Sequence, residues 1–496
     1  MKKIALFMFG MFATCSTFAQ EYLQINSGEL IPVDKIKSIT YRVDNTMLSD
    51  IISSNTEATI FAEAIEKTGI SKLLSNCIDK SYKGSSYAKE IMYFNLEGPE
   101  TAQRPNQRLE GYTAFLVPDA TLEKMDIRNL KDLYGYACKV YDEMYPEAVN
   151  APGHSYDNLT DPVNPLYRLI AYHIIDRNIQ SYDFLTTRYD LGVATDKVNP
   201  TNWYTTLLPG TMLKVERLTC DNCIANMDDV RGDRYINRRV DAEYRDVFGA
   251  HIINADATAN NGLYFYVDGI LAFDKTTRDI VDNCRIRMDM SDVLPELASN
   301  NIRWNGYPYI PVEGINYYLP DGYLKNCSLK GERATLVYRY PRAYFWNAHG
   351  DEMRLLGVFD FTMQLPPFPF EGEWQIRLGY SADSYYNSAT VDVYFDDTKV
   401  QEALDGSLNS GEGYMPGPYS ILCKNSSDGY GTPFSDIKQN IRKILCTVDI
   451  DKSALNKPHT LRLVNVDKFN PKIKNWSLDY IELVPKSVYD GNEDNN

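Results

Sequence analysis

The sequence predicts a multidomain chain, with an α+β N-terminal half followed by an all-β C-terminal half that folds as a sandwich. The chain has 496 residues, of which 44% are apolar and 24% are charged. These values are typical of several globular domains of about 150 residues each. Helical periodicity is clear before about residue 280, and alternation of apolar and polar residues replaces it afterwards. The change of period predicts the change of fold class.

The N-terminus has the pattern of a bacterial export signal. Lys2 and Lys3 precede a predominantly apolar run at 4–12, and Thr17-Phe18-Ala19 supplies a small-x-small cleavage site. The run is too short to span a bilayer core, which needs about 20 residues. We expect a signal peptide at 1–19 and therefore a location at the cell surface, at the outer membrane or in the periplasm. The alternative is a lipoprotein that is lipidated at Cys15. We predict contact with a membrane only through that lipid anchor.

The N-terminal half alternates strands and helices. A hairpin is predicted at 20–46, with its turn at Asn26-Ser27-Gly28. A strand over 111–117 ends at Pro118-Asp119. The clearest helix begins at Asn164-Pro165, because proline is favoured at the first helical position. Its apolar stripe consists of Leu166, Leu169, Ile170, His173 and Ile174. This i, i+3, i+4, i+7 spacing predicts a buried helix face.

The C-terminal half is predicted as a β-sandwich over 301–487. Trp374, Ile376, Leu378 and Tyr380 alternate with mainly polar residues, and similar alternation recurs near 391–395, 461–463 and 481–483. Such short alternating runs between turn residues are typical of antiparallel sandwiches. We predict that a polar linker over 276–300 joins the two halves and that 488–496 form a polar tail.

Four runs of the N-terminal half resemble, in order, a fasciclin-type adhesion domain. They are 112–119, 169–175, 205–210 and 261–271. They are similar to the family's opening strand and turn, its Tyr-His helix, its Thr-Leu strand and its closing Asn-Gly hairpin, although Phe265 stands where the family usually has histidine. The resemblance covers about 47–275 and implies an α+β binding fold without catalysis. In the family the Tyr-His segment, here Tyr172 and His173, is linked to adhesion. The helical stripe favours the alternative that His173 is a core residue.

The C-terminal half resembles galactose-binding-like sandwiches of the jelly-roll type. The similar runs are 372–380, 391–397, 459–463 and 478–485. Sandwiches of this kind serve as carbohydrate-binding modules or as spacers. The resemblance therefore implies a polysaccharide, an oligosaccharide or another surface protein as the partner.

The residues predict no catalytic, cofactor or metal site. The chain has no phosphate-binding loop, no His-Glu-x-x-His and no Gly-x-Ser-x-Gly motif. Its five histidines lack the spacing of metal ligands. The net charge of −16 opposes binding to a phosphate backbone, so we predict no nucleic-acid partner.

The composition favours a recognition surface. The chain has 37 tyrosines against 19 phenylalanines, and tyrosine joins a flat apolar ring to a polar group that suits wet interfaces. Aromatic residues in turn-rich segments are the candidate sugar-stacking residues: Trp304, Tyr344, Trp346, Tyr385, Tyr386 and Trp476. The alternative for each ring is that it packs a loop onto the sandwich. We predict a non-catalytic protein that captures glycan, and the alternative is a structural protein–protein adhesin.

Overall fold

The computed structural model describes residues 22–24, 30–32, 46–84, 91–95, 98–179, 201–217, 233–240, 246–303, 316–339, 352–382, 389–416, 440–455, 457–467 and 475–491. The chain is multidomain and mostly β, with several antiparallel sheets, so the coarse prediction of fold class is confirmed. The predicted signal peptide at 1–19 and Cys15 lie outside the described residues. Within those ranges no helix is long and apolar enough to cross a membrane.

The N-terminal half contains eleven described strands and six described α-helices. The strands are β1 (Tyr22–Gln24), β2 (Leu30–Pro32), β3 (Ile91–Asn95), β4 (Gly98–Gln103), β5 (Tyr112–Leu116), β6 (Ile174–Ile175), β7 (Thr201–Thr205), β8 (Met212–Arg217), β9 (Arg234–Val240), β10 (Asp246–Ala259) and β11 (Gly262–Val267). The helices are α1 (Leu48–Ser53), α2 (Thr59–Lys67), α3 (Ser71–Leu74), α4 (Asp119–Glu123), α5 (Leu130–Met144) and α6 (Pro165–Tyr172).

The C-terminal half is built from strands with a few short helices. The strands are β12 (Ile286–Asp289), β13 (Asn316–Leu319), β14 (Cys327–Lys330), β15 (Thr335–Arg339), β16 (Glu352–Leu356), β17 (Asp360–Gln364), β18 (Gly372–Ser381), β19 (Thr390–Phe395), β20 (Thr398–Asp405), β21 (Tyr414–Pro416), β22 (Asn440–Ile450), β23 (Thr460–Asn465), β24 (Asn475–Leu478) and β25 (Tyr480–Pro485). The α-helices are α7 (Met290–Val293), α8 (Pro295–Ser299) and α9 (Lys486–Tyr489).

The N-terminal half is organised around a seven-stranded sheet in the order β6-β5-β11-β10-β9-β8-β7. Neighbouring strands are antiparallel except β5 and β11, which are parallel. The two ends of the sheet meet, because Ile175 pairs with Thr206 and the Leu207 N–H donates to the Ile174 carbonyl at 2.8 Å. Apolar side chains of the helices and of this sheet form one core.

Helix α6 forms as its sequence predicts. The Asn164 side chain accepts a hydrogen bond from the Leu166 N–H at 3.0 Å and caps the helix, and Pro165 occupies its first turn. Leu166, Leu169 and Ile170 are fully buried. The predicted stripe is thus confirmed for these three residues, which lie in the N-terminal core, but the helix ends at Tyr172, so His173 follows it and Ile174 belongs to β6.

The turn at the closing hairpin differs from the predicted one. Ala259 pairs with Gly262, so Asn260 and Asn261 form the two-residue turn. Gly262 has a φ of +152°, and a Cβ on it would lie 2.0 Å from the Tyr112 carbonyl oxygen. The glycine is therefore required by the close approach of the parallel strand β5.

Replacing Gly262 with alanine is expected to destabilise the N-terminal half by about 1–3 kcal/mol, because an added methyl group overlaps the backbone of β5. Gly135 in α5 is the matched control, since a Cβ there meets nothing within 4 Å. Gly135→Ala is expected to stabilise by about 0.5–1 kcal/mol through helix propensity. Urea unfolding of both variants measures the difference, and equal midpoints would contradict the role assigned to Gly262.

The C-terminal half is sandwich-like, as predicted. Two antiparallel five-stranded sheets have the orders β12-β25-β18-β22-β21 and β14-β17-β23-β19-β20. A six-stranded sheet in the order β24-β16-β15-β13-β4-β3 adjoins them. One apolar core includes Trp374, Leu463 and Leu355 from the three sheets. The alternation at 374–380 predicts this correctly for Trp374, Ile376, Leu378 and Tyr380, all of which are fully buried.

The predicted linker at 276–300 is structured, which corrects our expectation. Met288 lies in β12, which pairs with β25, and Leu297 is fully buried in the C-terminal core. The polar run at 276–279 is followed within a few residues by apolar residues. The segment is folded because these apolar residues pack against the sandwich. The start of the predicted tail at 488–496 also differs, since residues 488 and 489 belong to α9 and the Tyr489 hydroxyl donates to Glu373 of β18. Residues 492–496 lie outside the described ranges.

The two halves share more than a connection. Strand β4 pairs in parallel with β13, so the N-terminal region supplies two strands to the six-stranded sheet. The Arg108 guanidinium donates to the carbonyls of Gly322 and Tyr323 at 2.9 and 2.8 Å. The buried Arg177 donates to the Asp292 carbonyl. These polar contacts join the halves, and Trp203 and Met212 of the N-terminal sheet add apolar contacts by packing in the C-terminal core.

Candidate functional site

The structure places one of the six predicted stacking residues in the core. Trp476 lies in β24 opposite Leu355 of β16, is fully buried, and contacts the Tyr380 ring with 5.1 Å between centroids. A buried ring offers no face to a sugar, so the assignment of Trp476 is wrong. Asn475 precedes it as part of a paired strand rather than of a turn. The other five predicted residues lie outside the described ranges: Trp304, Tyr344, Trp346, Tyr385 and Tyr386.

Tyr172 and His173 are also buried. The Tyr172 hydroxyl donates to the Met212 carbonyl at 3.1 Å and accepts from the Asn237 amide at 2.9 Å. Neither residue exposes more than 1% of its surface. An adhesive contact through this pair is therefore inconsistent with the fold, and the core interpretation of His173 accounts for its position.

The His173 ring bridges two backbone segments. Its Nδ1 lies 2.8 Å from the Phe115 carbonyl oxygen, and its Nε2 lies 2.9 Å from the Leu271 nitrogen. A carbonyl only accepts and an N–H only donates, so the ring carries its proton on Nδ1 and is neutral. Burial lowers the pKa of His173 to about 4. This residue serves stability.

A polar surface of the C-terminal sandwich is the best candidate binding site among the described residues. We call it the Tyr394 face. It consists of side chains from β17, β19, β20 and β23: Asp360, Thr362, Asp392, Tyr394, Lys399 and Arg462. Cross-strand pairing places Thr362 and Tyr394 on either side of Arg462, and Lys399 opposite Tyr394. Alternation with the buried Leu461, Leu463, Val391 and Val393 directs this row away from the core.

Ion pairs fix the polar groups around the Tyr394 ring. Arg462 forms a bidentate pair with Asp360, with Nε–Oδ1 and Nη2–Oδ2 distances of 2.7 Å. Its guanidinium carbon lies 5.2 Å from the Tyr394 ring centroid. The Lys399 Nζ lies 5.7 Å from the same centroid and 2.5 Å from Asp392. The hydrogen bond from Arg462 lowers the pKa of Asp360, so this carboxylate stays charged.

This arrangement suits a hydrated, uncharged ligand. Tyr394 is half-buried and combines an apolar ring with a hydroxyl group. The surrounding carboxylates accept hydrogen bonds and the cations donate them. A small number of convergent polar groups beside an aromatic ring is typical of sites that orient small polar ligands. The alternation of apolar and polar residues at 391–394 and 460–463 indicates this outward-facing row. Our prediction placed the stacking residues in turn-rich segments and therefore missed it.

A set of possible metal ligands lies in the N-terminal half. Cys138, Asp142 and His154 bring one ligand atom each to within 4.8 Å of one another. The first two residues are spaced i, i+4 on α5, and the third comes from a 3₁₀ turn at Pro152–His154. The sequence prediction of no metal site did not consider this trio.

Comparison with known proteins identifies no family for this chain. No protein-family model matches it, and no curated protein matches it. Among solved structures it overlaps an exo-β-1,3-galactanase from Phanerochaete chrysosporium, crystallised with β-1,3-galactotriose, at 10% identity and a TM-score of 0.18. The overlap covers 55% of this chain and 54% of that chain, which is about half of the galactanase. A TM-score this low establishes no common fold.

Proposed function

We propose that this protein is exported, is not an enzyme, and captures a polysaccharide or oligosaccharide at the cell surface or in the periplasm. The observation that carries the proposal is the Tyr394 face, where a half-buried aromatic ring lies among charged groups held by short ion pairs. A sugar ring presents flat C–H faces and a rim of hydroxyl groups. The tyrosine ring suits the first, and the Asp360 and Arg462 pair suits the second.

The N-terminal half is proposed as a fasciclin-type adhesion or docking domain. The four runs that resemble the family come together in one structural unit, which supports this assignment. The first run forms β5, which pairs with β11 from the fourth run and with β6 from the second. The third run contacts the second through the bridge between Thr206 and Ile175. Its adhesive surface must lie elsewhere than at the buried Tyr172 and His173.

Affinity electrophoresis of the mature protein against a polysaccharide panel tests the proposal. At least one glycan is expected to retard the protein without release of reducing sugar. Tyr394→Ala is expected to weaken binding roughly 2- to 10-fold, the equivalent of about 0.5–1.5 kcal/mol for one aromatic contact. Its melting temperature should stay close to that of the wild type, because the ring lies on the outer face of the sheet.

Tyr156→Ala is the matched control, since Tyr156 is an exposed tyrosine of the N-terminal half. It should be retarded as strongly as the wild type. Equal retardation of the Tyr394→Ala variant would reject the Tyr394 face as the site. A protein that no glycan retards would instead support the structural adhesin, and release of reducing sugar would establish an enzyme.

A further inference from the structure

The trio of Cys138, Asp142 and His154 has the composition and the compactness of a metal site. Cys138 is a free cysteine, and its neighbour one helical turn later is Asp142. The His154 Nε2 lies 2.6 Å from Asp142 Oδ1. All three side chains are partly buried, and those of His154 and Asp142 expose 17% and 37% of their surface. An ion can therefore reach the trio from solvent.

The backbone that carries His154 is held firmly. The Tyr134 hydroxyl donates to the His154 carbonyl at 2.7 Å. The buried Asn164 amide donates to the carbonyls of Gly153 and Ser155, each at 3.0 Å. Asn164 is itself fixed as the cap of α6. The third ligand is thus presented to α5 by a rigid turn rather than by a loose loop.

Tyr134 also supports the trio from the helix side. It lies four residues before Cys138 on α5, about one helical turn away, and its hydroxyl donates its one proton to the His154 carbonyl at 2.7 Å. One side chain of α5 therefore holds the turn that carries His154. Partners of this kind orient the ligands of metal sites, and their loss typically weakens metal binding by about 10- to 100-fold.

We propose that Cys138, Asp142 and His154 bind a zinc ion that joins the turn at 152–154 to helix α5. Sulfur, imidazole nitrogen and carboxylate oxygen are all zinc ligands, at about 2.0–2.3 Å from the ion. The three ligand atoms lie within 4.8 Å of one another, so a modest rotation of the side chains places all of them at such distances from one ion. Calcium and magnesium prefer oxygen ligands throughout, and the thiol therefore excludes them. With three protein ligands, a water molecule completes a tetrahedron.

Binding is coupled to proton release. Zinc is ligated by thiolate, so the ion replaces the proton of the Cys138 thiol. The His154 Nε2 coordinates through its lone pair in place of its contact with Asp142.

Cobalt titration of the reduced, full-length protein tests the site. One equivalent of Co²⁺ is expected to give a sulfur-to-cobalt charge-transfer band in the near ultraviolet and intense visible bands of a tetrahedral ion, and Zn²⁺ should abolish both. Cys138→Ser should lose the charge-transfer band. Tyr134→Phe should keep the band but bind about 10-fold more weakly. Cys77→Ser is the matched control, as Cys77 is another free, partly buried cysteine, and it should behave as the wild type.

Two results would overturn the proposal. The first is absence of a sulfur-to-cobalt band in the folded wild type. The second is a band that persists in Cys138→Ser but disappears when both cysteines of the sequence Cys220-Asp221-Asn222-Cys223 are replaced with serine, which would place the metal on those two thiols. Should Cys138→Ser fail to fold, Asp142→Asn decides the question by its cobalt spectrum, since the change keeps the size of the side chain. An unaltered spectrum and affinity in that variant would also reject the trio.

Discussion

Glu482→Gln is expected to lower the stability of the C-terminal half by about 3–5 kcal/mol, the cost of removing one partner from a buried ion pair. Glu482 is fully buried in β25, the strand between β12 and β18. Its carboxylate lies 2.8 Å from the Arg287 Nε and 3.4 Å from the Arg442 Nη1. The Arg377 Nη1 lies 3.7 Å away. Glutamine keeps the shape but removes the charge and replaces one acceptor oxygen with an NH2 group that can only donate.

The balance of burial and attraction explains the size of this effect. Burial alone would raise the pKa of Glu482, but Arg287 and Arg442, with Arg285 further away, lower it below the usual value for glutamate. The carboxylate is therefore charged in the folded protein and compensates buried guanidinium groups. Without it these cations would remain in a dry environment, and buried charge is costly.

Denaturant unfolding, followed by near-ultraviolet circular dichroism, measures the loss. Glu373→Gln is the matched control, because Glu373 lies on the neighbouring strand β18 and contacts Lys486 at the surface. Exposed ion pairs contribute little, so this variant should unfold close to the wild type. Equal midpoints for Glu482→Gln and Glu373→Gln would show that the buried carboxylate does not stabilise the sandwich.

Acidification is expected to remove about 3 kcal/mol of stability through His173 alone. The pKa of His173 is lowered to about 4 in the folded chain and rises to about 6.5 in the unfolded chain. The unfolded state therefore binds the proton first. The contribution is fully present above pH 6.5 and is lost as the pH falls towards 4. The proton would have to enter at Nε2, which accepts the Leu271 N–H.

Urea unfolding of wild type and His173→Ala across pH 4 to 7 separates the contribution of His173 to the pH dependence of stability from that of the other titratable groups. The variant should be less stable at pH 7 by about 1–3 kcal/mol, because two backbone groups lose their partner. Its stability should change less with pH than that of the wild type. His251→Ala, at a partly exposed histidine, is the matched control and should lower the stability at pH 7 less than His173→Ala does. Parallel pH profiles for wild type and His173→Ala would contradict the predicted pH dependence. A folded His173→Ala variant that loses glycan binding would contradict the assignment of His173 to the core.

Local periodicity predicts the buried faces but not the contacts between distant strands. The alternation at 374–380 identifies core residues because successive side chains of a strand point to opposite faces. It gives no signal at Trp476, which we assigned to a turn-rich segment and whose short strand is defined by its partner β16. The linker prediction fails for a similar reason, since β12 forms only by pairing with β25.

The candidate site shows the same limit. Alternation places Tyr394 and Arg462 on outer faces, but Arg462 reaches Asp360 across 102 residues of sequence, and only the sheet order brings the two together. Cys138 and Asp142 are neighbours on one helix, yet His154 reaches them through a turn that the fold positions. Residue types can be read from a sequence at each of these places, but their juxtaposition depends on tertiary structure.

The position of β25 between β12 and β18 constrains the order in which the protein can fold during synthesis. Strand β12 joins this sheet through β25, so it cannot do so until residues 480–485 have left the ribosome. The strands of the N-terminal seven-stranded sheet are all complete by residue 267. The nascent chain can therefore close its first sheet early, while β18 can pair with β22 on one edge and leaves its other edge unpaired until β25 emerges. Unpaired strand edges are prone to aggregate. A ribosome that stalls before residue 480 would thus release a chain with a folded first sheet and a second half in which the edge of β18 stays open.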